Sequence, residues 1–293
     1  KPLQLAIVGR PNVGKSTLLN AIVGIKVSIT SPHPNTTRVG VRGVLDSADA
    51  QVVFIDTPGL HRPRSPLGSR LNEKALAALS EVDLVLAVLD ATQSIGPGDT
   101  GVLERAVAAA AQDGCSVFVA VNKIDRARRD QVLARLAEAS DLVGSLQPNV
   151  WSKTEYFPVS ARTKKGLEPL MAAIVGRMPE GHRFYPKGTT SDVQDAIAIA
   201  ELVREQLLRA TKEELPHSIA CVVTEWEWPR IRCEILVERE SQKGIVIGAG
   251  GGVLKAVGTA VRAQLPEGAY LELFVRVERH WQSRRDILDR LGY

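Results

Sequence analysis

Cysteines and long apolar runs are scarce in this sequence. The 293 residues include three cysteines, Cys115, Cys221 and Cys233, without C-x-x-C spacing. This sparse, odd count argues against a disulfide framework or a zinc site and favours small core residues in a reducing compartment. No stretch approaches the ~20 apolar residues of a membrane-spanning helix. The chain runs directly into a predicted strand, so we expect a cytoplasmic protein without a signal peptide.

A strong excess of one charge is also missing. The formal net charge is +4, and residues 193–293 contain 14 Lys and Arg against 15 Asp and Glu. If this C-terminal segment binds nucleic acid, bulk charge does not reveal it, and the case depends on local geometry.

Apolar strands alternate with amphipathic segments in the N-terminal part of the chain. Strands are predicted at 5–8, 52–55, 82–89 and 117–121, with helical segments between them such as 71–79 and 130–142. This α/β alternation predicts a domain over residues 1–178 with a mostly parallel sheet and helices on both faces. Ligands of such sheets bind at the carboxyl ends of the strands.

The pattern changes beyond residue 178. A stretch rich in proline and glycine predicts an interdomain linker at 179–192. Residues 193–293 then predict an α+β domain. Its elements are a helix at 195–214, strands at 218–227 and 231–240, a glycine cluster, a helix at 253–264, a strand at 270–277 and a helix at 284–291.

A phosphate-binding loop is predicted between the first strand and the next helix. The pattern G-x-x-x-x-G-K-S, with a threonine after it, comprises Gly9, Arg10, Pro11, Asn12, Val13, Gly14, Lys15, Ser16 and Thr17. Glycines let such a loop wrap a pyrophosphate with its N–H groups, and the helix N-terminus adds a positive dipole. Lys15 then reaches the β- and γ-phosphates, and the Ser16 hydroxyl ligates Mg²⁺.

Three later motifs select a guanine nucleotide. They are Asp56, Thr57, Pro58 and Gly59, followed by Leu60; Asn122, Lys123, Ile124 and Asp125; and Ser160, Ala161 and Arg162. Asp56 can hold Mg²⁺ through water, and the Gly59 N–H can contact the γ-phosphate. Asp125 can accept two hydrogen bonds that guanine donates and adenine does not. The sequence therefore predicts an enzyme that binds GTP and GDP and hydrolyses GTP.

A threonine between these motifs is the third candidate Mg²⁺ ligand. Thr36 and Thr37 both lie in a segment without periodicity, and a threonine there can close over the metal when the γ-phosphate is present. We favour Thr37 over Thr36. The predicted metal ligands are therefore Ser16, Thr37 and Asp56.

These motifs resemble those of the Era family, within the Era and TrmE group of translation-factor-class GTPases. The resemblance extends to 240–248, Leu254, Lys255 and the ending Leu291-Gly292-Tyr293. It implies a P-loop GTPase domain at 1–178 and a type II KH domain at 193–293. It also implies a monomer that binds the 3′ end of 16S ribosomal RNA in small-subunit assembly. Alternatives are an RNA-binding protein with an inert nucleotide site, and a GTPase of this group that acts on another RNA or associates weakly with a membrane surface.

A glycine cluster fits the G-x-x-G loop of a KH domain, which clamps a nucleic-acid backbone. The candidate RNA-binding residues are Gly248, Ala249, Gly250 and Gly251, the basic Lys255 and Arg262, and the apolar Ile245 and Val246 under the bases. The family usually has a lysine within this loop, and here the loop is uncharged.

A glutamine is missing directly after Gly59, where many GTPases use one to orient the attacking water. Leu60 stands there, so we predict slow intrinsic hydrolysis with water held by the backbone. Resemblance to the TrmE group suggests K⁺ in addition to Mg²⁺, with Asn12 supplying an oxygen to it. The candidate catalytic residues are Lys15, Thr37, Gly59 and Asn12.

Overall fold

The computed structural model describes residues 2–33, 36–47, 50–63, 65–80, 82–178, 180–211 and 215–293. The chain divides into two compact units. The first comprises Lys1–Thr30, Thr37–Arg64 and Gly68–Asp192, and the second comprises Ser31–Thr36, Ser65–Leu67 and Val193–Tyr293.

One sheet forms the centre of the first unit. Its strands within the described residues are β1 Leu3–Val8, β2 Val41–Asp46, β3 Gln51–Asp56, β4 Leu84–Asp90, β5 Ser116–Asn122 and β6 Glu155–Pro158. Their spatial order is β2-β3-β1-β4-β5-β6. Neighbours are parallel except β2 and β3. The predicted mostly parallel α/β sheet is confirmed.

Helices cover the sheet. In the described part of this region they are α1 Lys15–Val23, α2 Pro66–Ala77, α3 Pro97–Asp113, α4 Arg129–Leu146, α5 Pro148–Trp151 and α6 Leu167–Gly176. Every residue of β4 is buried, which requires apolar cover on both faces of the sheet. Val85 and Ala87 of β4 share one core cluster with residues of α2, α3 and α4.

The edge strand β2 and the helices α3, α5 and α6 had no counterpart in the sequence-based prediction. In β2, Gly43 interrupts the apolar pattern, and Arg42 is exposed. The glycine is needed because a Cβ there would lie 2.7 Å from Leu19 Cδ1 of α1. Because α1 packs closely against β2, the strand has a glycine at a position where an apolar side chain would have completed the strand pattern.

The predicted linker, of which Pro179 lies outside the described residues, contacts the free edge of β2. Ser191 forms an antiparallel bridge with Gly43, and the Val44 N–H donates to the Thr190 carbonyl at 2.9 Å. Gln51 of β3 accepts the Tyr185 N–H at 3.0 Å. This segment belongs to the first unit, and it pairs with an edge that would otherwise expose unpaired backbone groups.

The C-terminal part of the second unit is a small α+β domain. Its described elements are α7 Asp195–Ala210, α8 Leu215–Ser218, β7 Ala220–Glu227, β8 Arg230–Val237, α9 Glu240–Ile247, α10 Gly252–Arg262, β9 Tyr270–Val277 and α11 Arg285–Arg290. The sheet order is β7-β8-β9, with β7 and β8 antiparallel and β8 and β9 parallel. The core cluster contains residues of α7, α9 and α10 with the three strands.

Two element boundaries differ from the prediction in this domain. The strand expected at 231–240 ends at Val237, because Gln242 Oε1 accepts the N–H groups of Glu238 and Arg239 and so starts α9. The helix expected at 195–214 ends at Ala210, and 212–214 lie outside the described residues.

No single helix in the described ranges is long and apolar enough to cross a membrane. The bent pair α9 and α10 passes that test by length and composition together, and Val246, Val257 and Val261 of this pair lie in the core of the C-terminal domain.

Candidate functional site

The loop between β1 and α1 has the backbone shape that phosphate binding requires. Gly14, at the N-terminus of α1, has φ +98°, which favours glycine. A Cβ on Gly9 would lie 2.6 Å from the Val88 carbonyl oxygen. Asn12 also has a positive φ, of 65°. The loop therefore depends on its glycines at both ends, as the motif predicted.

Lys15 is buried within this loop. Its Nζ donates to the carbonyl oxygens of Gly9 at 3.1 Å and Arg10 at 3.0 Å. Burial lowers the pKa of Lys15 to about 8, against the opposing effect of the Asp56 charge. The ammonium is thus close to the backbone that would surround the phosphates, and anionic phosphate oxygens there would favour its charged form.

The three predicted metal ligands lie together. Ser16 Oγ donates to Asp56 Oδ2 at 2.7 Å, and Thr37 Oγ1 donates to the same oxygen at 3.3 Å. The two hydroxyl oxygens are 2.9 Å apart. The Thr36 hydroxyl instead donates to the His33 carbonyl at 2.7 Å. The geometry thus brings Thr37, and not the Thr36 side chain, to this corner.

The chemistry of this corner fits Mg²⁺. Asp56 Oδ1 is buried and has no hydrogen-bond partner among the described residues. Burial raises the pKa of Asp56, although the charge of Lys15 and the hydroxyl hydrogen bonds act in the opposite direction. A buried carboxylate oxygen beside two hydroxyls is an all-oxygen donor set, which a hard cation with bound water prefers.

The second motif connects directly with the phosphate loop. A Cβ on Gly59 would lie 2.7 Å from the Pro11 nitrogen, and the Leu60 N–H donates to the Gly9 carbonyl at 3.1 Å. Leu60 is 4% exposed and packs in the core cluster beneath the sheet. Its side chain is therefore turned away from water, and it cannot orient a nucleophile by hydrogen bonding.

The base-recognition motifs are cross-linked by side chains. Asn122 Nδ2 donates to the Val13 carbonyl at 2.9 Å, and Asn122 Oδ1 accepts the Ala161 N–H at 3.0 Å. The Ser160 hydroxyl donates to Asp125 Oδ1 at 2.7 Å. The motifs at 122–125 and 160–162 are thus held in one arrangement with the phosphate loop, which is compatible with the predicted recognition of guanine.

Lys123 joins the same arrangement through a carboxylate that no motif contained. Its Nζ donates to the Asn12 carbonyl and to Asp90 Oδ2, each at 2.6 Å. Burial alone would raise the pKa of Asp90, but hydrogen bonds from Lys123 and Thr92 lower it. Asp90 ends β4, so its position at the carboxyl end of a buried strand was the signal that could have identified it.

The Arg10 side chain forms hydrogen bonds with residues outside the phosphate loop. Its Nε donates to Asp99 Oδ1 at 2.7 Å, and its Nη2 donates to Gln93 Oε1 at 3.1 Å. Asp99 is buried in the first turn of α3. Arg10 therefore contributes its backbone to the loop, and its side chain connects the loop to α3.

Thr17 and Arg162, the last residues of their motifs, are exposed.

The G-x-x-G loop joins α9 to α10 in the second unit. Gly248, Gly250 and Gly251 have φ of +74°, +56° and +78°. A Cβ on Gly248 would lie 2.9 Å from the Val253 nitrogen, whereas one on Gly250 or Gly251 would meet nothing within 4 Å among the described residues. Gly248 is thus required by packing, and the other two leave open space for a backbone to approach.

The flanking candidates differ in their accessibility. Ile245 is 57% exposed, and Ala249, Lys255 and Arg262 are also exposed. Val246 is 0% exposed and lies in the domain core. The expectation that Val246 contacts bases is therefore corrected: its place on the inner face of α9 gives it a packing role.

Two family models match separate parts of the chain. A family model described as a 50S ribosome-binding GTPase matches residues 4–123, and one described as a KH domain matches residues 214–282. The GTPase Era of Mycobacterium sp. (strain KMS) is 43% identical over 301 aligned positions, which cover 99% of this chain and 97% of that protein. The chain belongs to the Era family of GTPases.

Two solved Era structures extend the similarity to the whole chain. One is Era in complex with MgGDPNP and nucleotides 1506–1542 of 16S ribosomal RNA, with a TM-score of 0.91 and 36% identity over 100% of this chain and 99% of that one. The other is an Aquifex aeolicus Era variant bound to GDP and AlF4⁻, with a TM-score of 0.89 and 36% identity over 99% and 98%. As a member of the Era family, this chain is a GTPase with a C-terminal KH domain.

Proposed function

We propose that this Era-family GTPase binds the 3′ end of 16S ribosomal RNA through its KH domain and acts in small-subunit assembly. The observation that carries the proposal is the open G-x-x-G loop, in which Gly250 and Gly251 leave room for a nucleic-acid backbone. The Era complex with nucleotides 1506–1542 of 16S ribosomal RNA supports it, because that protein matches this chain across both domains. GTP binding and hydrolysis then act as a switch that shifts the population of RNA-binding states.

We assign the nucleotide chemistry to the residues that converge on the phosphate loop. Ser16, Thr37 and Asp56 hold Mg²⁺, which neutralises phosphate charge when bound. Lys15 contacts the β- and γ-phosphates, and the Gly59 N–H contacts the γ-phosphate. Because Leu60 is buried, backbone groups position the attacking water, and intrinsic hydrolysis is slow.

The protein acts in the cytoplasm as a monomer, and a dimer mass in sedimentation would contradict the monomer.

Crosslinking in cells followed by RNA sequencing tests the RNA assignment. The unsubstituted protein should enrich reads from the 3′ end of 16S ribosomal RNA. Because we propose that the bound nucleotide controls RNA binding, Lys15→Ala should change that enrichment. Reads concentrated on large-subunit ribosomal RNA or a membrane-associated RNA, or spread evenly over messenger RNAs, would overturn the assignment.

The uncharged loop makes a quantitative prediction for RNA affinity. Ala249→Lys places a positive charge within the exposed loop, so we expect tighter binding to the 16S 3′-terminal RNA at low salt. The slope of log K against log salt should steepen by about 0.7, the value for one phosphate contact with a single strand. Binding is measured by fluorescence anisotropy across a salt series. Ala172→Lys, at an exposed position of α6 in the first unit, is the control for added charge, and equal slopes for both variants would contradict a phosphate contact at Ala249.

A monovalent cation is the second component that we propose for hydrolysis. Asn12 lies in the phosphate loop with a positive φ and an exposed side chain, and we propose that its amide oxygen binds K⁺ beside the nucleotide. We expect phosphate release to be about tenfold faster in K⁺ than in Na⁺, and Asn12→Ala to remove most of that difference. Equal rates in the two salts would exclude the cation from the mechanism.

A further inference from the structure

A serine outside every recognised motif contacts the carboxylate of the Mg²⁺ corner. Ser28 lies after α1, and its hydroxyl donates to Asp56 Oδ2 at 2.8 Å. Both side chains are buried, with Ser28 at 3% and Asp56 at 0% exposure. The contact crosses 28 positions of sequence, so no local pattern could have indicated it.

The backbone of Ser28 is held by one side chain of α1. Asn20 Oδ1 accepts the N–H groups of Val27 and Ser28, each at 2.9 Å. Asn20 Nδ2 donates to the Ser28 carbonyl at 2.8 Å. Three hydrogen bonds therefore fix the segment that carries the Ser28 hydroxyl, and they depend on α1 alone, not on the loop that contains Thr37.

The two carboxylate oxygens of Asp56 differ in their hydrogen-bond partners. Oδ2 accepts from Ser16, Thr37 and Ser28, whereas buried Oδ1 has no partner among the described residues. Ser16 and Thr37 are themselves assigned to Mg²⁺. Ser28 is the donor on Oδ2 that has no metal-binding role of its own, so its hydrogen bond fixes the carboxylate orientation whatever the state of the metal ligands.

We propose that Ser28, held by Asn20, is a positioning residue that orients Asp56 toward Mg²⁺ and so sets the metal dependence of nucleotide binding. The inference rests on the Mg²⁺ site proposed above. Partners that orient a ligating carboxylate typically contribute 10- to 100-fold to metal affinity.

The test measures GDP affinity of the full-length protein across a Mg²⁺ titration and in EDTA. For Ser28→Ala, we expect the half-saturating Mg²⁺ concentration to rise about 10- to 100-fold, with GDP affinity in EDTA unchanged within about threefold. Asn20→Ala should shift the Mg²⁺ requirement in the same direction. Ser28→Thr keeps the hydroxyl and should remain close to the unsubstituted protein.

Thr154→Ala is the matched control, because the Thr154 hydroxyl donates to the Val150 carbonyl at 2.9 Å in the connection before β6. It should leave the Mg²⁺ titration unchanged. If Ser28→Ala does not fold, Ser28→Cys replaces it, since a thiol of similar size is a weaker donor and should still raise the Mg²⁺ requirement.

The outcomes separate this inference from the site on which it rests. A Ser28 variant with the Mg²⁺ titration of the unsubstituted protein, or with an equal loss of GDP affinity in EDTA, would overturn the positioning role. An unsubstituted protein without any Mg²⁺ dependence would instead overturn the metal site.

Discussion

Asp125→Asn is expected to reduce GTP affinity roughly 100- to 10,000-fold, which corresponds to two charge-assisted hydrogen bonds of about 1.5–3 kcal/mol each. In the proposed guanine site, the carboxylate accepts from N1–H and the 2-amino group of the base, whereas an asparagine presents a donor to one of them. Ser160 already donates to Asp125 Oδ1 at 2.7 Å, so the side chain is fixed before the base arrives. The substituted amide should therefore face the base in the same orientation.

Binding of xanthosine triphosphate tests whether Asp125→Asn changes the base preference of the site. Xanthine has an oxygen where guanine has the 2-amino group, so the asparagine amide can donate to it. We expect Asp125→Asn to bind this nucleotide more tightly than it binds GTP, as measured by calorimetry. Asp130→Asn removes an equal charge from an exposed position paired with Arg128 and should leave GTP affinity unchanged. Weak binding of both nucleotides by Asp125→Asn would indicate a damaged site instead of a changed preference.

Lys15→Ala is expected to lower GTP affinity by about 100-fold or more and to reduce phosphate release to background. Each charge-assisted hydrogen bond to a phosphate is worth about 1.5–3 kcal/mol. The substitution also removes the opposing charge that lowers the pKa of buried Asp56, so that carboxylate becomes harder to ionise and binds Mg²⁺ less well.

Lys153→Ala is the matched control for Lys15→Ala. Lys153 is exposed after α5 and carries the same charge, so its removal should leave nucleotide binding and hydrolysis unchanged. The assay is phosphate release under single-turnover conditions together with nucleotide titration. Phosphate release by the unsubstituted protein no faster than by Lys15→Ala would support an RNA-binding protein with an inert nucleotide site.

Local spacing explains how much of the nucleotide site could be predicted. The glycines of the phosphate loop are adjacent in sequence to the backbone that they shape, and Asp56 and Asn122 end buried strands. The strand end or turn that positions each of the four motifs could therefore be predicted from residues adjacent to it in sequence. The sheet was predictable for the same reason, because the central strands are apolar on both faces.

Contacts across long sequence separations explain what was missed. Ser28, Asp90 and Asp99 act through partners 28, 33 and 89 positions away. None of them lies in a motif, and of the three only Asp90 had a sequence signal, its position at the end of a buried strand. Val246 was misjudged because periodicity could not distinguish a short helix from a strand in α9, and so could not tell which apolar side chain faces inward.

The segment that pairs with β2 has a consequence for dividing the chain into fragments. A fragment that stops at residue 178 would lose Thr190 and Ser191, which satisfy the Val44 N–H and bridge Gly43. It would expose a strand edge that can pair with other copies and promote aggregation. The natural end of an independently expressed nucleotide-binding fragment is therefore Asp192, and a protease that cuts between 180 and 189 would release a form prone to self-association.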